Sequence, residues 1–279
     1  MTKIKSNKII KNRTNYYKQV FVLFELLYAM KDREVIFMSK RNNKFCIRGL
    51  VILSIDYLQD MFKRYHINEK DYNIYVSLAK YKYIPTFNLD LTKRSLETRE
   101  WFHKHARNNI KEYDMLLDFD VKDKKEFNKV VEETYLMTQF LNLSKVKYNL
   151  IPSGSGFQIK IPSECFDMKK EFANNEFNTK IYQITKTIKE RFKLKHLCMI
   201  GIGAYNKIKK CEYSLVDDSV VFPLKYNNLQ NRFDYKLLKS DLILKNFLFV
   251  RNDLKFHNNF TDEENKKNLM RFLKKYMLI

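Results

Sequence analysis

The sequence predicts a mixed α/β fold, and three consecutive segments near its centre carry that expectation. Leu116-Leu117-Asp118-Phe119-Asp120 reads as a strand with two carboxylates on one side. With a side-chain period of two, Asp118 and Asp120 share a face while Leu117 and Phe119 point the other way. Residues 122–143 follow with Phe127, Val130, Val131, Tyr135, Met137 and Leu141 at helical spacing. Ile151-Pro152-Ser153-Gly154-Ser155-Gly156-Phe157-Gln158-Ile159 then reads as a strand, a Ser/Gly turn and a second strand. Together they make a strand–helix–hairpin unit.

The remaining elements are justified in chain order. Residues 1–13 form a basic, polar arm without acidic residues, which reads either as a solvated terminus or as a phosphate contact. Residues 16–30 carry apolar positions at helical spacing and predict a buried helix. Asp32-Arg33-Glu34-Val35-Ile36-Phe37-Met38 predicts a strand entered from a charged turn. Residues 50–65 predict an amphipathic helix with Ile55, Leu58, Met61 and Phe62 on its apolar side. Residues 72–82 predict a strand, broken afterwards by Ile84-Pro85-Thr86-Phe87. Residues 95–108 predict a polar helix running up to the carboxylate strand. Beyond the hairpin, 172–192 predict a helix, and 197–204 and 208–224 predict short strands with a loop. From Leu237 onward the chain reads as mainly helical, with a Thr261/Glu264 capping box ahead of Leu269, Phe272, Leu273 and Tyr276. No internal repeat is present. The expected organisation is a core over residues 1–230 and a helical region, 231–279, packed on it.

Composition narrows the partners. The chain carries 53 Lys and Arg against 32 Asp and Glu, a formal net charge of +21. Charge on that scale concentrates polyanions at the surface, and nucleic acid is the usual partner. An AT-rich coding sequence would also enrich Lys, Asn, Ile, Tyr and Phe, but it does not explain why the acidic residues fail to keep pace. With 279 residues there is chain enough for one large domain or two closely packed ones. The four cysteines, Cys46, Cys165, Cys198 and Cys211, include no Cys-x-x-Cys pair, so no zinc knuckle or iron–sulfur framework is legible. They read as reduced thiols. The stretch from Val20 to Met30 is too short to span a bilayer, contains Glu25 and lacks a cleavage site. A soluble intracellular protein, cytoplasmic or nucleoid-associated and without a membrane partner, is the expectation.

The chemistry-bearing residues lie in the same central unit. Two acidic ligands as close as Asp118 and Asp120 suit a hard divalent cation, Mg²⁺ or Mn²⁺. Acidic pairs are also common in solvated turns, but the apolar run Met115–Val121 makes a turn a poor account of this one. Ser153, Gly154, Ser155 and Gly156 read either as a plain hairpin turn or as a cradle whose hydroxyls and backbone N–H groups hold phosphate. Gln158 and Lys160 emerge from that turn on a common face, with Phe157, Ile159 and Ile161 toward the core. Lys160 also reads as an ordinary exposed strand lysine. Metal plus phosphate on a basic chain points to nucleotidyl transfer. His103 and His105 stand two apart, which on a helix separates them by about 200°. They read as a basic helix face rather than a metal pair. Most aromatic residues sit at core spacing, which leaves Tyr81 and Tyr83 as candidates for stacking on bases.

Four segments, in order, resemble the archaeo-eukaryotic primases, in particular the small catalytic subunit of archaeal DNA primase. Asp32-Arg33-Glu34-Val35 looks like the family's N-terminal element. Asp118-Phe119-Asp120 matches its first metal-binding motif, and Ser153-Gly154-Ser155-Gly156-Phe157-Gln158-Ile159 its second. Lys210-Cys211-Glu212-Tyr213-Ser214-Leu215, followed by Val220-Val221-Phe222-Pro223-Leu224, looks like the third region. The likeness spans roughly residues 16–230. It implies an RRM-like catalytic sheet with flanking helices and a helical C-terminal region.

The resemblance implies two-metal catalysis of primer synthesis on a single-stranded DNA template from nucleoside triphosphates. Asp118 and Asp120 would hold Mg²⁺ or Mn²⁺, while Ser153, Gly154, Ser155, Gly156, Gln158, Lys160 and Lys210 would position phosphates. It also implies a large subunit, in trans, carrying an iron–sulfur cluster. Four departures stand against the pattern. Gln158 replaces a phosphate-contacting histidine and carries no charge. Lys210 replaces an arginine and loses its bidentate fork. Val216 replaces the histidine that closes the third region. No carboxylate occurs in Cys198-Met199-Ile200-Gly201-Ile202, where a last metal-ligating aspartate is expected, and Asp217 and Asp218 fall beyond Tyr213-Ser214-Leu215. These departures favour a second reading, a degenerate primase-fold subunit that binds nucleic acid or scaffolds a complex. A third, an unrelated basic single-strand-binding protein, requires the motif order to be coincidence.

Overall fold

The computed structural model describes residues 13–39, 46–67, 72–83, 104, 108–121, 123–166, 176–204, 207–216, 219–224 and 261–276. They form a mixed α/β structure whose contacts divide into two units. The first comprises residues 1–111, 208–222 and 235–247; the second comprises 112–207, 223–234 and 248–279.

The first unit is built on a four-stranded antiparallel sheet. Its strands are β1 (Val35–Ser39), β2 (Cys46–Leu50), β3 (Tyr72–Ser77) and β10 (Ile208–Lys210), in the order β10-β3-β1-β2. Val35, Ile36 and Phe37 are all fully buried, so both faces of β1 are covered, as a continuous apolar run requires. Helix α1 (Val20–Met30) buries Val22, Leu23, Leu26 and Met30, and α2 (Ile55–Arg64) buries Leu58, Met61 and Phe62. Helix α2 starts later than the apolar pattern suggests. Ser54 caps it by accepting the Tyr57 N–H, and the residues up to Leu50 join β2 instead. The predicted helix over 16–30 breaks at Lys18–Gln19. Just before the break, the Tyr16 hydroxyl donates to Tyr213 O at 2.8 Å, and the Tyr17 hydroxyl accepts the Leu215 N–H at 2.9 Å. Burial pushes both phenols above their ordinary range, well above it for Tyr16.

Three expectations in this unit need correction. Residues 72–82 form two strands, β3 and β4 (Ala79–Tyr81), because the chain bends at Leu78. Tyr81 is buried at 3% exposure and offers no stacking surface, whereas Tyr83 is 62% exposed. Arg13 is not a solvated end of the basic arm: its side chain is buried, and Nη2 donates to Tyr72 O.

The second unit holds the carboxylate strand. Strand β5 (Ile110–Tyr113) leads to β6 (Met115–Asp120), then α3 (Phe127–Leu143), β7 (Asn149–Pro152), β8 (Gly156–Ile161), α4 (Phe177–Arg191) and β9 (Leu197–Cys198). The last four strands pair antiparallel in the order β7-β8-β6-β9. Read along the chain this is β-α-β-β-α-β, the split arrangement of ferredoxin-like and RRM sheets. Phe127 on α3 meets Phe157 with ring centroids 5.9 Å apart, so the face shared by Leu117, Phe119, Phe157 and Ile159 is the one the helix covers. Helix α5 (Asp262–Lys275) closes this unit. Phe272 and Tyr276 join Phe140 and Phe192 in an aromatic cluster, and Asn268 Nδ2 donates to Lys145 O at 3.0 Å. The Thr261/Glu264 capping box forms with both of its hydrogen bonds.

The short strands β11 (Leu215–Val216) and β12 (Ser219–Val220) pair with each other. Expectations for the arm 1–12, the break at 84–87, most of the helix at 95–108, His103, His105, Asp217, Asp218 and the C-terminal stretch 225–260 lie outside the described residues. Among the described residues no helix is long and apolar enough to cross a membrane.

Candidate active site

Register places the site. Antiparallel pairing sets Asp118 directly across from Gln158 on β8 and from Cys198 on β9. Residues directly opposite in a sheet point to the same side. Gln158, Asp118 and Cys198 therefore form a row across three strands, on the face turned away from α3. Asp120 follows on the same face at the end of β6, opposite Gly156.

The Asp118 and Gln158 side chains are buried, at 8% and 6% exposure. Gln158 Nε2 donates to Asp118 Oδ1 at 3.1 Å, whereas Gln158 Oε1 is buried without a hydrogen-bond partner. The orientation of this amide follows from the carboxylate, which can only accept. A buried acceptor left in this state costs about 1–3 kcal/mol. Asp120 is held by the turn: Ser155 Oγ donates to Asp120 Oδ1 at 2.7 Å. The Asp120 backbone N–H donates to His196 O at 3.2 Å.

The turn is shaped for this close approach. Ser153 N–H donates to Gly156 O at 2.9 Å, and Gly154 takes φ +93°, where glycine is unstrained. A Cβ on Gly156 would stand 1.8 Å from Phe119 O, so the second glycine is required for β8 to lie against β6. Lys160 continues the Gln158 face, half-buried and paired with Leu116 across the strands.

A second polar cluster steadies β9 beside Asp120. The Glu133 carboxylate accepts the backbone N–H groups of Lys195 and His196 and lies 2.9 Å from His196 Nδ1. His196 Nε2 lies 3.5 Å from Glu126. Spacing gave no sign of this cluster, because its partners are some 60 residues apart in the chain.

Asp118, Asp120, Ser155, Gln158 and Lys160 thus come together on one sheet face and its turn. Lys210 belongs to the first unit, where it ends β10 opposite Tyr75. Its neighbour Lys209 is fully buried in an ion pair with Glu212. The position beside Asp118 on β9 is a half-buried free cysteine, Cys198. Among the described residues no three His, Cys, Asp or Glu side chains gather in a metal-binding group. The oxygen donors of this face are two carboxylates, the serine hydroxyl and the unsatisfied amide oxygen of Gln158. Such a set suits a hard divalent cation rather than a thiophilic one.

No protein-family model matches the chain, and no curated protein matches it. Among solved structures it is similar to the "Polymerase Domain from Mycobacterium tuberculosis Ligase D in complex with DNA". The identity is 11%, the alignment covers 86% of this chain and 88% of that one, and the TM-score is 0.47. A likeness of that size assigns neither a family nor a function.

Proposed function

We propose that the chain is a divalent-metal-dependent nucleotidyltransferase of the archaeo-eukaryotic primase kind, making short primers on a single-stranded template. The observation that carries the reading is the shared face of Asp118 and Asp120 beside the Ser153–Gly156 turn, in a β-α-β-β-α-β sheet. The order of motifs along the chain and the net charge of +21 support it. The proposed set is confined to the second unit.

In the reaction a 3′-oxygen attacks the α-phosphorus of a nucleoside triphosphate. A new P–O bond forms, the bond to the β-phosphate oxygen breaks, and pyrophosphate leaves. Mg²⁺ or Mn²⁺ held by Asp118 and Asp120 would lower the cost of deprotonating that hydroxyl and neutralise the triphosphate. The chain's own residues set the geometry. The Ser155 hydroxyl fixes Asp120, and Gly156 lets the turn close on the end of β6. The backbone N–H groups of Gly154 and Ser155 and the ammonium of Lys160 supply the positive side of a phosphate cradle.

A second reading, a binding subunit without catalysis, is favoured by one observation. The β9 position next to Asp118 carries Cys198, so no third carboxylate joins the row. The two readings separate in an assay of labelled-nucleotide incorporation on single-stranded DNA with Mn²⁺. The enzyme reading predicts products from the wild type and none from Asp118→Asn/Asp120→Asn, with DNA binding retained in both. Absence of product from both proteins, at equal DNA affinity, supports the binding subunit.

A further inference from the structure

We infer that Gln158 is a metal ligand through its side-chain oxygen, and that it takes over the place of the missing third carboxylate from the opposite side of Asp118. The inference rests on the metal-site reading above and deepens it.

Three observations converge. The first is the row itself: β6 has one neighbour on each side, and Asp118 faces Gln158 on one and Cys198 on the other. Of these two cross-strand neighbours, Gln158 alone offers a hard cation on Asp118 a side-chain oxygen. The second is the unsatisfied Gln158 Oε1, in a side chain that is only 6% exposed. Natural cores rarely leave an acceptor in that state. At Gln158, unlike at other orphaned atoms such as Asn73 Oδ1 opposite Met38, a cation on the neighbouring carboxylate would satisfy it. The third is spacing. The amide end of Gln158 and Asp118 Oδ1 stand 3.1 Å apart. Two neighbouring oxygens on a six-coordinate ion with bonds of about 2.1 Å are separated by about 3 Å.

Without an ion, the amide presents Nε2 to Asp118. Turning it over about its terminal torsion exchanges Nε2 for Oε1 at nearly the same place. That torsion is broad and two-fold, so the main cost of the turn is the lost Nε2–Asp118 hydrogen bond, which the bond from the cation to Oε1 must offset. The site then holds a carboxylate and an amide oxygen side by side, with Asp120 on the same face. Gln158 thereby differs in role from the phosphate-contacting histidine that the family resemblance implies, since an imidazole has no oxygen to offer. The net charge of the donor set is one unit less negative than with three aspartates, which weakens affinity.

The test is Mn²⁺ binding, followed by loss of the free-ion electron paramagnetic resonance signal, without nucleotide or DNA. Wild type is compared with Gln158→Leu, Gln158→Glu, Gln158→His and Asp118→Asn/Asp120→Asn. Melting curves with and without Mn²⁺ show that each variant is folded. Weaker binding by about tenfold in Gln158→Leu and Gln158→His, with tighter binding by about tenfold in Gln158→Glu, is expected. The Gln158→Glu variant is also expected to gain the largest rise in melting temperature on adding Mn²⁺. If Gln158→Leu binds like the wild type while the double aspartate variant does not, the role of Gln158 is overturned and the aspartate site stands. If the double aspartate variant binds like the wild type, the metal-site reading fails, and this inference falls with it.

Discussion

The two four-stranded antiparallel sheets of this chain bury polar groups for different ends. In the first sheet the interior charges are bound into the fold. Arg33 Nη1 donates to Ser77 O and Leu78 O, both at 2.9 Å, Glu34 Oε1 accepts the Gly49 N–H, and Lys209 pairs with Glu212. In the second sheet Gln158 gives its N–H to Asp118 but keeps an acceptor with no donor. Asn73 Oδ1 in the first sheet also lacks one, but it stands opposite Met38 rather than a carboxylate. The difference separates buried charge that holds strands in register from a buried amide that faces a carboxylate, where the proposed cation would add a partner. It also gives Asp32-Arg33-Glu34-Val35 a structural account. The arginine and glutamate tie β1 to its neighbours, while Asp32 pairs with Lys111 at 2.8 Å.

Substitutions sharpen this contrast. The largest loss of stability is expected from Glu212→Leu, which leaves the Lys209 ammonium buried without its carboxylate. Denaturant unfolding should show a cost of about 3–5 kcal/mol. Asp118→Asn is the matching change in the second sheet. It should cost no more than about 1.5 kcal/mol in the same experiment, yet bring nucleotide incorporation below detection. Equal stability losses at the two positions would erase the distinction between the sheets. Gly156→Ala should cost about 3 kcal/mol, since its Cβ meets backbone rather than a side chain that can move. Glu133→Gln is milder. It keeps one acceptor for the Lys195 and His196 amides and weakens the rest, for about 1–3 kcal/mol, with faster amide exchange at β9 as the local readout.

The smallest effect concerns the C-terminal helix. The Thr261 backbone N–H, and then its hydroxyl, hold the Glu264 carboxyl below the usual carboxylate range. A lowered folded value means that this support is complete above the ordinary carboxylate range. It is lost as pH falls through the lowered value. Glu264→Gln, which keeps an oxygen acceptor for Thr261 but cannot titrate, should therefore flatten the acid limb of a stability profile taken from neutral pH to about pH 3 by circular dichroism. An acid limb unchanged by the substitution would show that the capping box contributes nothing to it.

Local pattern carried much of this molecule. The alternation in Leu116–Asp120 places both aspartates on one face, the helix after it falls where its apolar spacing puts it, and the Thr261/Glu264 box forms as written. Pattern failed where long-range pairing decides. Leu50 ends a strand although the pattern over 50–65 counts it in the helix, and Tyr81 is buried by partners that no window around it contains. Strand β9 is two residues long and has no periodicity to read. Its register against Asp118 nevertheless determines that a thiol occupies the place expected for a carboxylate. The orphaned oxygen of Gln158 was equally out of reach, because it follows from which end of an amide faces a carboxylate 40 residues away.

The central claim is that the Asp118–Asp120 face binds the ion that carries the nucleotide. An anomalous difference map from crystals grown with Mn²⁺ and a non-hydrolysable nucleoside triphosphate tests it most directly. The account predicts a Mn²⁺ peak within about 2.3 Å of carboxylate oxygens from both aspartates, with the triphosphate running toward the Ser153–Gly156 turn. Mn²⁺ and triphosphate bound together elsewhere, with both aspartates untouched, would contradict it.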